Sequence, residues 1–200
     1  MTVKALCECF DELIHPDWKL PQSGGTWQLR EPGAGHSQLD ISGGKSLAFT
    51  LDRSGHSAFP FFSSTLPGVN KVTDALVIAE VDGRAYATAI EMKTSSGAIN
   101  DALKQIESGR LLVEWATSLL RAHGHWNGGA CTFFGIVSLK PRRQPRKGTT
   151  SRSAELPDPE ISRHGGGYPF FTLANHPRAP VVALVRKLES HARNTQGDGR

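Results

Sequence analysis

The sequence predicts a mixed α/β domain, and three observations carry that prediction. Val72–Val81 and Arg84–Lys93 are apolar, β-rich runs separated by Asp82-Gly83, a strong signal for a two-residue hairpin. From Ile99 to about Ala122, Leu103, Ile106, Leu111, Val113, Leu119 and Leu120 sit among good helix formers, which predicts one long helix. Cys131–Leu139, CTFFGIVSL, has the continuous apolar character of a buried strand. Hairpin, helix and strand in that order imply a sheet with a helix packed on it.

The remaining elements follow along the chain. Over residues 3–14, Leu6, Phe10, Leu13 and Ile14 share one helical face, with Glu8, Asp11 and Glu12 elsewhere. This predicts a short amphipathic helix that ends at His15-Pro16. Residues 20–70 are broken repeatedly by glycine, leaving two short strand candidates, Thr26–Leu29 and Ser46–Leu51. Phe59-Pro60-Phe61-Phe62 is an apolar knot, expected to be buried or to contact a partner. Ser95 or Ser96 is placed to cap the long helix, which is expected to bend near Gly109 if it bends at all. Beyond residue 139, Tyr168–Leu173 is a last strand candidate and Ala179–Ala192 a last helix.

The chain has 200 residues, enough for one domain with a real core. With 38% hydrophobic and 21% charged residues it reads as globular rather than disordered. No apolar run approaches the roughly 20 residues that cross a bilayer, and the N-terminus lacks the apolar stretch of a signal peptide. Cys7, Cys9 and Cys131 make no full disulfide set and read as reduced thiols, so a cytoplasmic location is expected. A net charge of +4 favours an anionic partner.

The hairpin gathers chemistry at its open end. With a two-residue turn, Val81 faces Arg84, and the same register sets Asp74 opposite Glu91. Directly opposed side chains share a face about 5 Å apart. Lys93, two residues past Glu91, points to that face as well. The rest of the face, Leu76, Ile78, Ala85, Ala87 and Ala89, is apolar except for Glu80 near the turn. Two acids opposed on such a face are costly unless compensated. A divalent cation compensates them, since hard Mg²⁺ takes carboxylate oxygens with water and phosphate. Lys93 compensates part of the charge too, so an ion cluster closing a sheet end accounts for the same residues.

The segment TDALVIAEVDGRAYATAIEMKTS, followed by a helix, resembles the core of the PD-(D/E)XK nuclease superfamily. Asp74 matches the motif's Asp; Glu91 and Lys93 match its acid and its Lys, with Thr73 where the signature often has Pro. A lone Glu-x-Lys is worthless by itself; the Asp in cross-strand register, the helix and the following strand make the match specific. The resemblance implies a restriction-endonuclease-like αβββαβ core, a central mixed four-stranded sheet flanked by helices, with Ser46–Leu51 as its first strand. It implies a Mg²⁺- or Mn²⁺-dependent nuclease acting on DNA more than RNA. Asp74, Glu91 and the Met92 carbonyl would hold the metal, whose bound water attacks the phosphate. Lys93 would orient that water and stabilise developing charge. Gln105, within DALKQI, matches a Gln used by some branches; the Gln-x-x-x-Tyr of the RecB-like branch is not met, because Gly109 stands at its last position. Family members often supply an acid from the first helix, here Glu12 or its competitor Glu8. Homodimerisation fits cutting of two strands. A non-catalytic nucleic-acid-binding or assembly module on the same fold is the alternative, and a protein-interaction subunit built around Phe59–Phe62 is a third reading.

Weaker signals remain. Lys140 to Arg152 is a basic run without an acid; Arg142, Arg143, Arg146 and Lys147 there would grip phosphates or form a solvated loop. His123, His125 and Cys131 have no recognised zinc spacing. Cys7 and Cys9 diverge on a helix. Gly43-Gly44-Lys45-Ser46 mimics the end of a P-loop, yet Leu39 stands where the first Gly belongs and a strand follows, so no nucleotide cofactor is expected. Trp18, Trp27, Trp115 and Trp126 read as packing residues before base-stacking ones.

Overall fold

The computed structural model describes residues 4–30, 38–53, 55–56, 59–63, 65–139, 155–165, 167–174 and 176–197. The basic residues Arg142, Arg143, Arg146 and Lys147 lie outside them. Three α-helices are described, α1 (Leu6–Leu13), α2 (Ile99–Ala122) and α3 (Val181–Gly197). The strands are β1 (Gln22–Ser23), β2 (Thr26–Arg30), β3 (Gln38–Ser42), β4 (Lys45–Phe49), β5 (Ala75–Val81), β6 (Arg84–Lys93), β7 (Cys131–Leu139), β8 (Glu160–Ile161), β9 (Pro169–Ala174) and β10 (Arg178–Pro180). They form two mixed sheets, one ordered β4-β5-β6-β7-β9-β8 and one ordered β1-β2-β3-β10.

The hairpin forms where the sequence places it. Val81 pairs Arg84, and the register runs to Ala75 opposite Ile90. Asp82 and Gly83 both have positive φ, 50° and 75°, as a type I′ turn requires. That turn matches the natural twist of the two strands. β5 begins at Ala75 rather than Val72, so Asp74 lies just before the ladder. β4 pairs antiparallel with β5, and β7 pairs parallel with β6. A parallel neighbour needs a crossover, and α2 supplies it.

The central sheet extends beyond the expected four strands: among the described residues it has six. β9 adds in parallel to the far edge of β7, and β8 pairs with β9. The physical reason lies in β7, where Phe134, Gly135, Ile136 and Val137 are buried on successive positions and hence on both faces. A strand apolar on both sides belongs inside a sheet, since an edge would leave its backbone groups unpaired. The second sheet was not expected at all. Thr26–Arg30 pairs with Gln38–Ser42, and Asp40 to Ser42 pair with Arg178 to Pro180. The last helix therefore starts at Val181, because Ala179 and Pro180 are spent on that pairing.

One face of the central sheet carries α2, and α2 approaches closely through a glycine. A Cβ on Gly109 would stand 2.9 Å from Thr73 Cγ2, 3.1 Å from Ala89 Cβ and 3.2 Å from Leu76 Cδ2. The helix stays continuous through Gly109, so the glycine serves contact with the sheet rather than a bend. α1 covers β4 and β5 beside it: Phe10 packs on Phe49, and the Cys9 thiol donates to the His125 carbonyl just beyond α2. The opposite face takes α3, where Tyr86 donates to Glu189. Fully buried Phe10, Phe49, Phe134, Phe171, Ile106 and Ile136 fill the layers, each contributing about 1.5–3 kcal/mol of apolar burial. Among the described residues, no helix is long and apolar enough to cross a membrane.

Candidate active site

The open end of the hairpin meets the first turns of α2, and there Asp74, Glu91, Lys93 and Gln105 join in one hydrogen-bonded chain. Lys93 Nζ donates to Glu91 Oε1 at 2.5 Å and to Gln105 Oε1 at 2.9 Å. Gln105 Nε2 in turn donates to the Val72 carbonyl at 3.1 Å. The Asp74 amide donates to Glu91 Oε2 at 3.2 Å, and the Met92 amide donates to Asp74 Oδ2 at 2.6 Å. Each carboxylate is thus anchored to the strand opposite its own. Local sequence explains the arrangement: the turn sets the cross-strand register, and the two-residue period puts Lys93 on the Glu91 face.

Burial is uneven across the group. Glu91 is 1% exposed, Asp74 and Lys93 are partly exposed, and Gln105 is partly exposed on α2. Burial, followed by the charge of Asp74, pushes the Glu91 carboxyl up to about 8; the bond from Lys93 opposes this and does not cancel it. The raised value favours a protonated Glu91 beside Asp74 at neutral pH.

A pH dependence follows, with its sign set by that shift. An acid whose pKa is higher folded than unfolded favours the folded state while protonated. The Glu91 contribution is fully present below about 4.5 and is lost as pH rises through about 8. In chelator, Glu91→Gln is expected to flatten the fall in thermal stability between those limits and to raise the Tm near pH 8. Parallel Tm profiles for the two proteins would refute the shift.

Two residues complete the framework that the motif alone did not reveal. Thr73 is fully buried, and its Oγ1 donates to the Ile90 carbonyl at 2.7 Å, clamping the start of the strand beside Asp74. The Val72 carbonyl fixes Gln105. The signal for Thr73 was its place next to Asp74, where a β-branched hydroxyl residue suits a strand start.

The structure does not bring Glu12 to this group. Its carboxylate is 67% exposed and pairs with Lys4 at 2.7 Å on the outer side of α1. Glu8 pairs with Lys45 at 3.0 Å, and Lys45 reaches Glu80 near the turn, at the other end of the hairpin. The physical reason is that α1 is one short helix whose acids, Glu8, Asp11 and Glu12, are exposed.

The donor set suits one kind of metal. Among the described residues, no three His, Cys, Asp or Glu side chains gather into a metal-binding group. What Asp74 and Glu91 offer is a pair of hard oxygen donors, Asp74 half-buried and Glu91 buried. That fits Mg²⁺ or Mn²⁺, which bind through one or two carboxylates and keep water and substrate oxygens for the rest. It does not fit a closed tetrahedral zinc site. Comparison of the chain with protein-family models, with curated proteins and with solved structures returns no match.

Proposed function

We propose that this protein is a metal-dependent nuclease of the PD-(D/E)XK kind, hydrolysing phosphodiester bonds, in DNA by the family resemblance. The observation that carries the reading is the bonded group of Asp74, Glu91 and Lys93, with Gln105 from the following helix. Leaving aside β1–β3, which come between α1 and β4, the order α1, β4, β5, β6, α2, β7, with β4-β5-β6-β7 adjacent in that order, supports it as the connectivity such a core would have.

Asp74, Glu91 and the Met92 carbonyl would hold Mg²⁺. Bound there, the metal supplies an activated water and polarises the phosphate. Lys93 offers ammonium protons to the attacking oxygen and to the charge that grows on the phosphate. Gln105 holds that ammonium from the helix side, so the donor is oriented before substrate arrives. Glu91 must lose its proton to serve as a ligand, so cation binding is expected to release protons below about pH 8.

The test is direct. Purified protein is incubated with circular duplex DNA, single-stranded DNA or RNA, with Mg²⁺, Mn²⁺ or EDTA. Cleavage of at least one substrate with a metal, lost in EDTA and in Asp74→Ala, is expected. Binding of nucleic acid without cleavage under either metal would replace this reading with a non-catalytic module.

A further inference from the structure

Upstream of Asp74, the structure holds an aromatic cluster that the core does not use. Phe59, Phe61 and Phe62 pack on one another, with ring centroids 4.6 to 6.3 Å apart. Phe61 is 74% exposed and Phe62 is 45% exposed, so of the two expectations for this knot, burial or contact with a partner, burial is not met. Leu66 and Val69 nearby are exposed as well. The stretch FPFFSSTLPGVNK, residues 59–71, contains no acid and ends in Lys71.

The cluster is linked to the candidate active site. Asn70 Nδ2 donates to the Phe62 carbonyl at 3.4 Å, tying the rings to the turn that precedes β5. Between that turn and the start of α2 lies a cleft of about 490 Å³, lined by Pro67, Val69, Lys71, Asp101, Lys104 and Gln105. Gln105 is the residue that holds Lys93. The turn bonded to the Phe62 carbonyl thus lines one side of the cleft, and Gln105, which holds Lys93, lines the other, with Lys71 and Lys104 also in the lining.

We propose that Phe61 and Phe62 stack unpaired bases of the strand whose backbone is led through this cleft to Lys93, an assignment that rests on the nuclease reading above. Exposed phenylalanine has no polar handle, so it recognises a π-face rather than a base edge. Paired bases in a duplex hide those faces, whereas unpaired bases present them. The loop itself contains no acid, and Lys71 lines the cleft to meet a polyanion, while Lys104 there is paired with Asp101 at 3.3 Å. The substrate class is therefore a single-stranded or frayed nucleic acid, read without sequence preference.

The experiment measures binding without cutting. Fluorescence anisotropy in EDTA follows a labelled oligothymidylate of about 20 nucleotides, an oligouridylate and a duplex of equal length with the full-length protein. The single strand is expected to bind more tightly than the duplex. Phe61→Ala is expected to weaken single-strand binding by at least about fivefold, and Phe61→Trp to preserve it. Lys71→Ala should lessen the salt dependence. Tighter binding of oligouridylate would name RNA as the source of the bases, and tighter oligothymidylate DNA; the Phe61→Ala loss is required in both. Equal affinity for duplex and single strand, or no effect of Phe61→Ala, overturns the proposal. So does dimerisation that Phe61→Ala abolishes while strand binding stays unchanged, which would assign the rings to a second copy of the chain. Because no metal is present, a failure of cleavage in the nuclease assay cannot be mistaken for a failure here.

Discussion

Lys93→Met is expected to lower metal-dependent cleavage by about 10²- to 10³-fold, the usual loss when one preorganised donor to a developing charge is removed. Methionine keeps the length and apolar stem and removes only the ammonium. The same substitution strips Glu91 of its bond from Lys93. Breaking a buried ion pair from one side ordinarily costs about 3–5 kcal/mol, because a charge is left buried alone. Glu91 has an escape, since its carboxyl already stands near 8 through burial and the neighbouring Asp74. It takes up a proton instead, and at neutral pH the variant loses less stability than a trapped charge would cost. Activity and stability therefore part company: cleavage collapses at every pH, while Tm falls chiefly above pH 8. Cleavage assays and thermal melts at two pH values read both. A variant that melts lower but cuts at the wild-type rate would reduce the group to an ion cluster closing a sheet end.

Gly109→Val is expected to produce the largest loss of stability. Its first side-chain carbon would stand 2.9 Å from Thr73, just before β5, and 3.1 Å from Ala89 in β6, and both neighbours are fully buried. Valine recovers part of the helix propensity that glycine lacks, less than about 1 kcal/mol. Forcing extra carbons into a filled interface costs about 1–3 kcal/mol and here lies at the upper end, because Thr73, Ala89 and the third neighbour, Leu76, are all fully buried. For a chain of this length that corresponds to a fall in Tm of roughly 2–4 °C per kcal/mol. The effect reaches the candidate site, since Thr73 clamps the strand start next to Asp74 and α2 carries Gln105. Cleavage is expected to fall even at temperatures where the variant is fully folded. An unchanged Tm would mean that α2 does not press on the sheet at this point.

The glycine also explains a departure that the sequence shows on its face. Where the RecB-like pattern would place a tyrosine four residues after Gln105, a side chain of any size would collide with Leu76, Thr73 and Ala89. Gln105 reaches Lys93 all the same, because its own position on α2, one turn earlier, lies over the open end of the hairpin.

What could be read from the residues was local. A two-residue turn dictates the pairing of the strands that flank it, so Asp74, Glu91 and Lys93 were brought to one place by arithmetic along some twenty residues of chain. The extent of α2 and the limits of β6 and β7 likewise follow from hydrophobic spacing and turn residues, which act within a few positions. Glu12 and the second sheet lay beyond that reach. Whether an acid on α1 faces the site depends on how that helix is rolled against β4 and β5, and the pairing of Asp40 with Arg178 joins segments whose meeting no local pattern encodes. The burial of Glu91, and with it the rise of its pKa, belongs to the same class, because it arises only when α2 closes over the sheet. Turn chemistry and periodicity are short-range forces written in adjacent residues; helix roll, sheet extension and desolvation come from packing between distant segments, and only the folded molecule decides them.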